Sequence, residues 1–413
     1  MSVLIQHGLV MDPETGECQV RDLYLADGKV QKKPEVLGED VQRVDATDLW
    51  VVPGLIDLHV HLRDPGLTHK ETIETGSKAA AAGGFTTICA MPNTKPVTDC
   101  AEVVRYVVKA SQEAPYTHVL PIGAITIGQN GVVLTDQRRL MEEGICALSE
   151  DGKSVADADL MEQAMVRAKK LGLIILDHCE DPELAAQGKS REAENVMTAR
   201  EIELAEKTGA ALHICHVSTK ESAQLVREAR QKGLPVTAEV CPHHFTLDDT
   251  RLESGDSNYK MNPPLRGKDD VQAMKEALKD GTITCIATDH APHAAYEKGP
   301  METAANGIIG LETAVSLAIT ELVETGILTP MQLIACMSTN PAHVLHCGKG
   351  TLQEGTAADV TLIDPKERYT VDVNRFYSKS KNCPYQGMEL TGRVVMTIVD
   401  GKIVYHKGEI LND

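Results

Sequence analysis

The chain has 413 residues, of which 42% are hydrophobic and 24% charged, a composition typical of a soluble globular protein. Its formal net charge of −19 argues against nucleic acid and anionic membranes as partners, because both require a basic surface. Scattered cysteines without a CxxC pair, no long apolar run and no leader-like N-terminus predict a cytoplasmic protein with reduced thiols.

Short strands and turns make up the first part of the chain, and the same pattern returns near its other end. The candidate strands of the two ends are 3–10, 21–25, the stretch around Val44, 50–52, 358–363, 393–399 and 402–405. Each end alone offers too little chain for a stable sheet with a buried face. We therefore predict one small β-domain that residues 1–52 and 345–413 build together.

Between these ends, strand-like stretches alternate with helical ones, which is the pattern of parallel βαβ units. The eight candidate strands are 54–61, 85–91, 118–125, 145–149, 173–178, 211–216, 236–240 and 284–289. Candidate helices between them include 70–82, 156–170, 196–208, 219–232 and 269–280. Eight such strands predict an α/β protein with a (β/α)8 TIM barrel over residues 53–344. A doubly wound open sheet is the alternative, but no GxGxxG loop follows any of these strands.

The first barrel strand ends in the segment His59-Val60-His61-Leu62-Arg63. Side chains alternate between faces along a strand, so both imidazoles, and Arg63 if the strand continues, point to the same side. Two neutral imidazoles suit a divalent metal such as zinc, and the guanidinium of Arg63 suits a substrate carboxylate. A surface His-x-His that binds nothing is the alternative interpretation.

Further candidate ligands follow other strands, at the end where (β/α)8 barrels carry their active sites. They are Asp151 after the fourth strand, His178 at the end of the fifth, His216 at the end of the sixth and Asp289 at the end of the eighth. One histidine at a strand end is usually structural, but a set that shares one edge of the barrel predicts a metal centre. By the period of two, His213 is expected to face the helical layer, while His243 and His244 line the pocket or belong to a loop.

Five motifs give the chain a wider resemblance. They are His59-Val60-His61-Leu62-Arg63-Asp64-Pro65-Gly66, Met91-Pro92-Asn93-Thr94, His213-Ile214-Cys215-His216-Val217-Ser218-Thr219, Met261-Asn262-Pro263-Pro264-Leu265-Arg266 and Ala287-Thr288-Asp289-His290-Ala291-Pro292-His293. On these motifs, essentially the whole chain resembles the amidohydrolase superfamily and, within it, the type I bacterial dihydroorotases. The first motif is shared widely among cyclic amidases, whereas the last two are more specific to dihydroorotases and allantoinases.

The resemblance implies a zinc centre at the barrel mouth, with one or two Zn²⁺ ions per chain. The implied ligands are His59, His61 and Asp289 at one position and His178 and His216 at a second. In many relatives a carboxylated lysine bridges the two metals, and here the resemblance assigns that place to Asp151. Lys153 is a weaker alternative for the bridge.

The resemblance also implies a set of substrate contacts. They are His61, Arg63, Asn93, Asn262, His293, Asn306 and Gly307. Asn93 and Asn262 each adjoin a proline, so a turn-forming role is the alternative for both. Because the chain carries a net charge of −19, an anionic substrate requires a local clamp of positive charge around Arg63.

The activity implied by the resemblance is the reversible closure of N-carbamoyl-L-aspartate to (S)-dihydroorotate with loss of water, in de novo pyrimidine (UMP) biosynthesis. Asp289 is expected to act as the catalytic general base. Two alternatives stay open: another cyclic amidase, such as an allantoinase or a dihydropyrimidinase, and a catalytically silent subunit that scaffolds aspartate transcarbamoylase. Beside the small-molecule substrate, the expected partners are a second copy of the chain and aspartate transcarbamoylase.

One segment departs from the type I pattern. Residues 182–195 make a shorter connection than that group is expected to have, with Gln187-Gly188-Lys189-Ser190-Arg191 in place of a stretch rich in glycine and proline. This shortening is expected to open the pocket, to alter a subunit contact or to have no effect. All candidate ligands are kept, so the catalytic interpretation stands.

Overall fold

Five strands open the part of the chain that the computed structural model describes, residues 2–411. They are β1 (Ser2–Asp12), β2 (Glu17–Ala26), β3 (Lys29–Gln31), β4 (Val41–Asp45) and β5 (Trp50–Pro53). Strand β1 pairs antiparallel with β2 and parallel with both β4 and β5. Asp27 and Gly28 connect β2 to β3 with positive φ angles of 52° and 71°, as a two-residue hairpin turn requires.

Eight parallel strands follow and form the barrel. They are β6 (Leu55–Val60), β7 (Phe85–Ala90), β8 (His118–Ala124), β9 (Ala147–Ser149), β10 (Ile175–Asp177), β11 (Leu212–Ile214), β12 (Val236–Val240) and β13 (Cys285–Ile286). Neighbouring strands pair in chain order from β6 to β13. A parallel bridge between Val60 and His290, with a 2.8 Å hydrogen bond from His61 N to His290 O, joins the last segment to the first. The predicted (β/α)8 barrel is therefore confirmed.

Helices surround the barrel on its outer side. The α-helices are α1 (Ile73–Ala82), α2 (Ala101–Glu113), α3 (Gln137–Glu142), α4 (Ala158–Leu171), α5 (Pro182–Ala186), α6 (Ser190–Thr208), α7 (Lys220–Gln231), α8 (Pro242–Thr246), α9 (Lys268–Lys279), α10 (Ala314–Ala318), α11 (Pro330–Ile334) and α12 (Asn340–Leu345). The π-helical turns Ile319–Val323 and Ala335–Thr339 continue α10 and join α11 to α12. Short 3-10 turns cover Ile127–Gln129, Asp249–Ser254, Ser257–Tyr259, Ala295–Glu297 and Val373–Arg375.

Four C-terminal strands complete the sheet that the N-terminal strands begin. They are β14 (Val360–Thr370), β15 (Glu389–Val399), β16 (Lys402–His406) and β17 (Glu409–Ile410). Strand β14 pairs antiparallel with β5 between Val360 and Pro53, so strands from both ends share one nine-stranded sheet. The prediction of one β-structure built from both ends is confirmed. Its exact boundaries, 1–52 and 345–413, stay a prediction.

Small and aliphatic side chains form the core, because only 3% of the residues are aromatic. One large apolar cluster fills the layer between the barrel strands and the helices, and it includes Ala79, Ala80 and Ala81 of α1. A second cluster, with Leu176, Cys215 and other strand residues, packs on the opposite faces of the strands and against α12. Among the described residues, no helix combines the length and the apolar character needed to cross a bilayer.

The observed elements differ from the predicted ones mainly at their ends. Helix α1 begins at Ile73 instead of Lys70, because the side chain of Thr72 caps it by accepting from Thr75 N. Strand β13 ends at Ile286, well before the predicted Asp289. Beyond it, Thr288 N donates to the side chain of Asp57 at 3.1 Å instead of to a neighbouring strand.

Candidate active site

The six predicted metal ligands meet at one end of the barrel. They are His59 on β6, His61 just after it, Asp151 after β9, His178 after β10, His216 after β11 and Asp289 after β13. All six side chains are buried. Parallel strands bring their carboxyl ends to the same edge, which explains why residues so far apart in sequence converge.

The carboxylate of Asp151 lies between the histidines. Its Oδ1 is 3.2 Å from His59 Nε2 and 3.5 Å from His178 Nδ1, and its Oδ2 is 3.3 Å from His61 Nε2. His216 Nε2 lies 3.6 Å from the same Oδ1. Asp151 thus belongs to two groups with metal-ligand spacing, one with His59 and His61 and one with His178 and His216. A carboxylate shared in this way can bridge two metal ions.

The chemistry of these donors fits a divalent metal. Within residues 2–411, the buried atoms His59 Nε2 and Asp151 Oδ1 have no hydrogen-bond partner. Leaving a buried polar atom unpaired costs roughly 1–3 kcal/mol, so these atoms indicate a bound partner. Imidazole nitrogen and carboxylate oxygen are the ligands that zinc accepts together in catalytic sites.

Glu239 of β12 bonds the ring nitrogen of His59 that faces away from Asp151. Its Oε1 lies 2.9 Å from His59 Nδ1 and its Oε2 lies 3.1 Å from His213 Nε2. Burial raises the pKa of Glu239, but the hydrogen bonds from His213 and His59 outweigh it and lower that pKa to about 2. The ionised carboxylate therefore accepts the Nδ1 proton of His59, which leaves Nε2 free to bind a metal.

His61 and His178 are held in a similar way. Asn93 Oδ1 lies 2.9 Å from His61 Nδ1, which leaves His61 Nε2 for the centre. His178 Nε2 lies 3.1 Å from Glu180 Oε2, and the same oxygen accepts from Asn262 Nδ2 at 3.0 Å. His178 therefore presents its Nδ1 to the centre, and Asn262 is tied to a ligand through one carboxylate.

Asp289, which follows the eighth barrel strand, faces the same centre. Its Oδ1 lies 3.0 Å from His61 Nε2 and 3.7 Å from His59 Nε2. Burial raises the pKa of Asp289, but the hydrogen bond from His61 and the charge of His59 lower it well below its usual range. The side chain is thus an ionised proton acceptor at neutral pH.

Three residues of the site adopt left-handed backbone conformations. The φ angles of Arg63, His216 and Asp289 are 61°, 34° and 48°. Such angles are unfavourable for residues with a side chain and cost on the order of 1–3 kcal/mol each. Each lies just beyond a barrel strand, where the chain turns and directs the side chain into the barrel mouth.

A basic pocket lies beside the metal ligands. Arg63 is 9% exposed; its Nε donates to Pro292 O at 3.2 Å, and its Nη2 lies 3.4 Å from His293 Nε2. His293 Nε2 lies 2.8 Å from Asn306 O. A Cβ at Gly307 would lie 2.6 Å from Ala291 Cβ, so only glycine fits there. The predicted substrate contacts of this side are therefore neighbours in space.

A segment from the C-terminal part of the chain supports this pocket, and the sequence patterns did not indicate it. We name residues 378–382 the strap. Asn382 Oδ1 accepts from His293 N at 3.1 Å, and Asn382 Nδ2 donates to Ala291 O at 3.0 Å and to Gly307 O at 3.1 Å.

The sequence analysis missed Glu239 and Glu180 as well. Their only signal is an acidic residue at or just beyond the end of a barrel strand.

Two neighbouring side chains, His213 and Lys153, lie elsewhere than the sequence analysis predicted or allowed as an alternative. The prediction that His213 faces the helical layer is wrong, because His213 bonds Glu239, the residue that also holds His59. Leu212 and Ile214 pack toward the helices, and His216 reaches the centre only because the strand has already ended. Lys153 Nζ donates to the backbone carbonyl of Gln129 at 2.9 Å, whereas Asp151 faces the histidines.

The two histidines after β12 are both buried in α8. His244 Nε2 donates to Pro263 O at 3.1 Å, and burial lowers the pKa of His243 to about 4. Among the described residues, His243 Nε2 has no hydrogen-bond partner. The charges of Asp289 and His216 act on His243, so this ring lies near the centre.

The short segment 182–195 packs closely against its surroundings. It forms α5 and the beginning of α6. Arg191 forms ion pairs with Glu221 and Asp270, and Glu194 accepts from Arg266 Nη2 at 3.2 Å. These contacts connect the segment to the motif that contains Asn262.

Comparison with known proteins places this arrangement in a family. A family model described as "Dihydro-orotase-like" matches residues 49–196. A protein named "Dihydroorotase" from Geobacter metallireducens is 46% identical over 429 aligned positions, covering 98% of this chain and 100% of that protein. A second, from Pelotomaculum thermopropionicum, is 47% identical and covers 98% of each chain.

Solved structures with other names share the fold. The dihydropyrimidinase from Brevibacillus agri NCHU1002 superposes with a TM-score of 0.88 at 26% identity, covering 100% of this chain and 96% of that one. The L-hydantoinase (dihydropyrimidinase) from Arthrobacter aurescens gives a TM-score of 0.91 at 25% identity, with 100% and 97% covered. The barrel and the terminal sheet are thus common to cyclic amidohydrolases.

Proposed function

The chain belongs to the dihydroorotase family of cyclic amidohydrolases, and we propose that it catalyses the reversible cyclisation of N-carbamoyl-L-aspartate to (S)-dihydroorotate in de novo pyrimidine (UMP) biosynthesis. Full-length relatives of that name at 46% and 47% identity support this proposal. The observation that carries it is the convergence of Arg63 and His293 beside the Asp151 centre, because it sets a carboxylate clamp next to metal ligands.

We propose Zn²⁺ as the metal and membership of the type I group. Asp151 in the bridging place and the histidine-rich donor set support both. The ligands would be His59, His61 and Asp289 for one ion and His178 and His216 for a second. When bound, the metal would polarise a carbonyl oxygen and lower the pKa of a coordinated water.

The protein groups have separate tasks in this reaction. Arg63 and the Nε2–H of His293 hold the carboxylate that substrate and product share, and they do so in a protein of net charge −19. Asn93 and Asn262 are oriented by His61 and Glu180, and their remaining amide groups are proposed to contact the ring atoms. His61 and the backbone of Asn306 and Gly307 complete the proposed contact set.

Asp289 is the proposed proton carrier. In the hydrolytic direction it accepts the proton of the attacking water and delivers it to the leaving ring nitrogen. In the synthetic direction the same carboxylate takes the proton from the ureido nitrogen as it attacks the substrate carboxyl carbon, and delivers it to the carboxyl oxygen that leaves. Its position 3.0 Å from His61 Nε2 supports this role, because it keeps the carboxylate at the centre.

The test is a metal analysis coupled to an activity assay on the purified full chain. We expect bound zinc and hydrolysis of dihydroorotate, with little turnover of dihydrouracil or allantoin. Turnover of dihydrouracil or allantoin without dihydroorotate would replace the proposal by another cyclic amidase. Bound metal without any turnover would favour the scaffold interpretation, and adding aspartate transcarbamoylase would then test partner dependence.

The homodimer, the association with aspartate transcarbamoylase and the cytoplasmic location stay predictions. Gel filtration of the pure chain, alone and with aspartate transcarbamoylase, tests the first two. Fractionation of cells that produce the chain tests the third.

A further inference from the structure

A lysine contacts the Nδ1 side of the His293 ring, whose Nε2 lies beside Arg63. Lys70 Nζ is 3.2 Å from His293 Nδ1 and 2.9 Å from Glu297 Oε1. Its side chain is 13% exposed, and its carbonyl accepts from Ser380 Oγ of the strap at 2.6 Å. Lys70 is therefore fixed at both its backbone and its ammonium end.

The partners of His293 determine where its proton lies. A backbone carbonyl only accepts, so the 2.8 Å contact with Asn306 O requires a proton on His293 Nε2. An ammonium only donates, so the 3.2 Å contact with Lys70 Nζ requires a lone pair on Nδ1. A neutral imidazole offers one of each, which satisfies both contacts at once.

This proton arrangement creates an anion site with Arg63. The guanidinium Nη2 and the His293 Nε2 lie 3.4 Å apart, and both are donors. Two donors at this distance do not bond each other. A carboxylate oxygen between them would accept from Arg63 Nη2 and share the Nε2–H of His293 with Asn306 O.

We propose that Lys70 is a positioning residue that fixes His293 as the neutral Nε2–H tautomer and thereby makes this ring a donor to the substrate carboxylate. The inference rests on the proposed function, because it deepens the role of the clamp. Without Lys70, the carboxylate of Glu297, 3.8 Å from His293 Nδ1, loses its 2.9 Å ion pair and can accept an Nδ1–H in competition with Asn306 O at Nε2. The Nδ1–H form presents a lone pair toward Arg63 and the substrate. That form repels a carboxylate instead of binding it.

The charges around the ring agree with this arrangement. The charged groups that face His293 are Arg63, Lys70 and Glu297. Burial, followed by the charges of Arg63 and Lys70, lowers the pKa of His293 to about 3. Glu297 opposes this effect, but its nearer contact is with Lys70 at 2.9 Å, compared with 3.8 Å to His293 Nδ1. The ring is therefore neutral throughout the physiological range.

The direct test is nitrogen-15 NMR of the histidine rings in the zinc-loaded protein. Wild type and Lys70→Arg should show one protonated and one unprotonated nitrogen for His293, a signal assigned by its loss in His293→Gln. Lys70→Met keeps the length of the side chain without the donor, and its two nitrogens should approach averaged shifts. A wild-type tautomer in Lys70→Met would overturn the proposal whether or not the protein turns over dihydroorotate.

A kinetic test distinguishes positioning from simple packing. Lys70→Met should raise KM for dihydroorotate about tenfold near neutral pH, the effect of one lost hydrogen bond, with kcat within about twofold. In the His293→Gln background, Lys70→Met should leave KM unchanged, because no imidazole remains for Lys70 to orient. Lys70→Arg should restore KM.

The matched control is Lys366→Met. Lys366 is exposed on β14 and belongs neither to the strap nor to the substrate contacts. This variant should leave both KM and the His293 signal unchanged. A KM penalty of Lys70→Met that is equal in the wild-type and His293→Gln backgrounds would overturn the tautomer role. A wild type without turnover would contradict the proposed function, and the NMR comparison would still decide the role of Lys70.

Discussion

Three histidines of the centre present one ring nitrogen to Asp151 and are held through the other. Their supporting groups are Glu239 for His59, Asn93 for His61 and Glu180 for His178. Each support fixes the tautomer and the rotation of its ring before a metal binds. Such supports typically raise metal affinity or activity by about 10- to 100-fold.

Glu239→Gln should therefore weaken metal binding by about 10- to 100-fold, because an amide holds the Nδ1 proton of His59 less firmly than a carboxylate. Zinc affinity measured by competition with a chelator checks this. Glu203→Gln, an exposed change on α6, is the control and should bind zinc as wild type does. Equal affinities in all three proteins would contradict the supporting role of Glu239.

Asp289→Asn should reduce kcat by about 100- to 10,000-fold, the usual contribution of a general base. The four histidines and Asp151 remain, so zinc should stay bound. Steady-state kinetics and metal content measured on the same sample check this prediction. Near-normal turnover would remove Asp289 from the proton transfer.

Arg63→Ala should raise KM for dihydroorotate by about 10- to 100-fold, because hydrogen bonds to charged groups contribute roughly 1.5–3 kcal/mol. The value of kcat should change much less, since Arg63 lies beside the metal ligands and is not one of them. Arg63→Lys should recover only part of the binding, because an ammonium lacks the planar fork. An unchanged KM in Arg63→Ala would place the carboxylate elsewhere.

The residues of the centre could be predicted because each follows a barrel strand at one shared edge. Their supports could not, because Glu239 and Asn382 act through contacts that only the folded chain creates. The period-two rule gave the wrong face for His213 because it took His216, which lies beyond the strand, as part of it. Strand β11 ends at Ile214, and the turn that follows, with a φ of 34° at His216, redirects the side chain.

At the level of elements, the strap connects the terminal β-structure to the barrel mouth. Ser378 Oγ and Lys379 N both donate to Glu71, whose Oε2 lies 3.3 Å from His290 Nε2. Further along the strap, Asn382 accepts a hydrogen bond from His293 N. Proposed substrate contacts of the barrel are thus held by a segment that lies outside it in sequence.

Asn382→Asp keeps the Oδ1 that accepts from His293 N but replaces two donors by a charged acceptor facing Ala291 O and Gly307 O. We expect KM to rise by at least about tenfold and the free energy of unfolding to fall by roughly 1–3 kcal/mol. Kinetics and urea unfolding check the two effects. Asn374→Asp, an exposed change in the same region, should have neither.

At the level of the whole molecule, one histidine joins the barrel to the terminal sheet. His118 begins β8, and its Nε2 lies 3.5 Å from Asp359 Oδ2 and 3.5 Å from Asp400 Oδ2. Burial lowers the pKa of His118, but the nearby carboxylates of Asp359 and Asp400 outweigh it and raise that pKa to about 9. The protonated ring therefore stabilises the contact between the two parts.

This stabilisation should depend on pH with a defined sign. A raised histidine pKa contributes fully below the unfolded value of about 6.5 and is lost as pH rises through about 9. Between these limits, wild type should lose roughly 1–3 kcal/mol more of its free energy of unfolding than His118→Gln does. Urea unfolding of both proteins at several pH values checks this. Parallel pH profiles would contradict the contact.

The architecture itself was predictable, since strand–helix alternation and the two β-rich ends each have a clear sequence pattern. The ends of the helices and strands were less predictable than the architecture. Helix α1 starts three residues late because Thr72 caps it, and β13 is only Cys285–Ile286 because Thr288 bonds a side chain. Local side-chain contacts of this kind carry no periodic signal.

The pairing of β5 with β14 also has a consequence for synthesis of the chain. All six proposed metal ligands have been translated by Asp289, whereas Val360 of β14 and Asn382 of the strap come later. At about 5–20 residues per second, β5 waits on the order of 15–60 s on the ribosome for its partner strand. During that interval the edge of β5 that later pairs with β14 lacks its partner strand and is exposed to pairing with other chains.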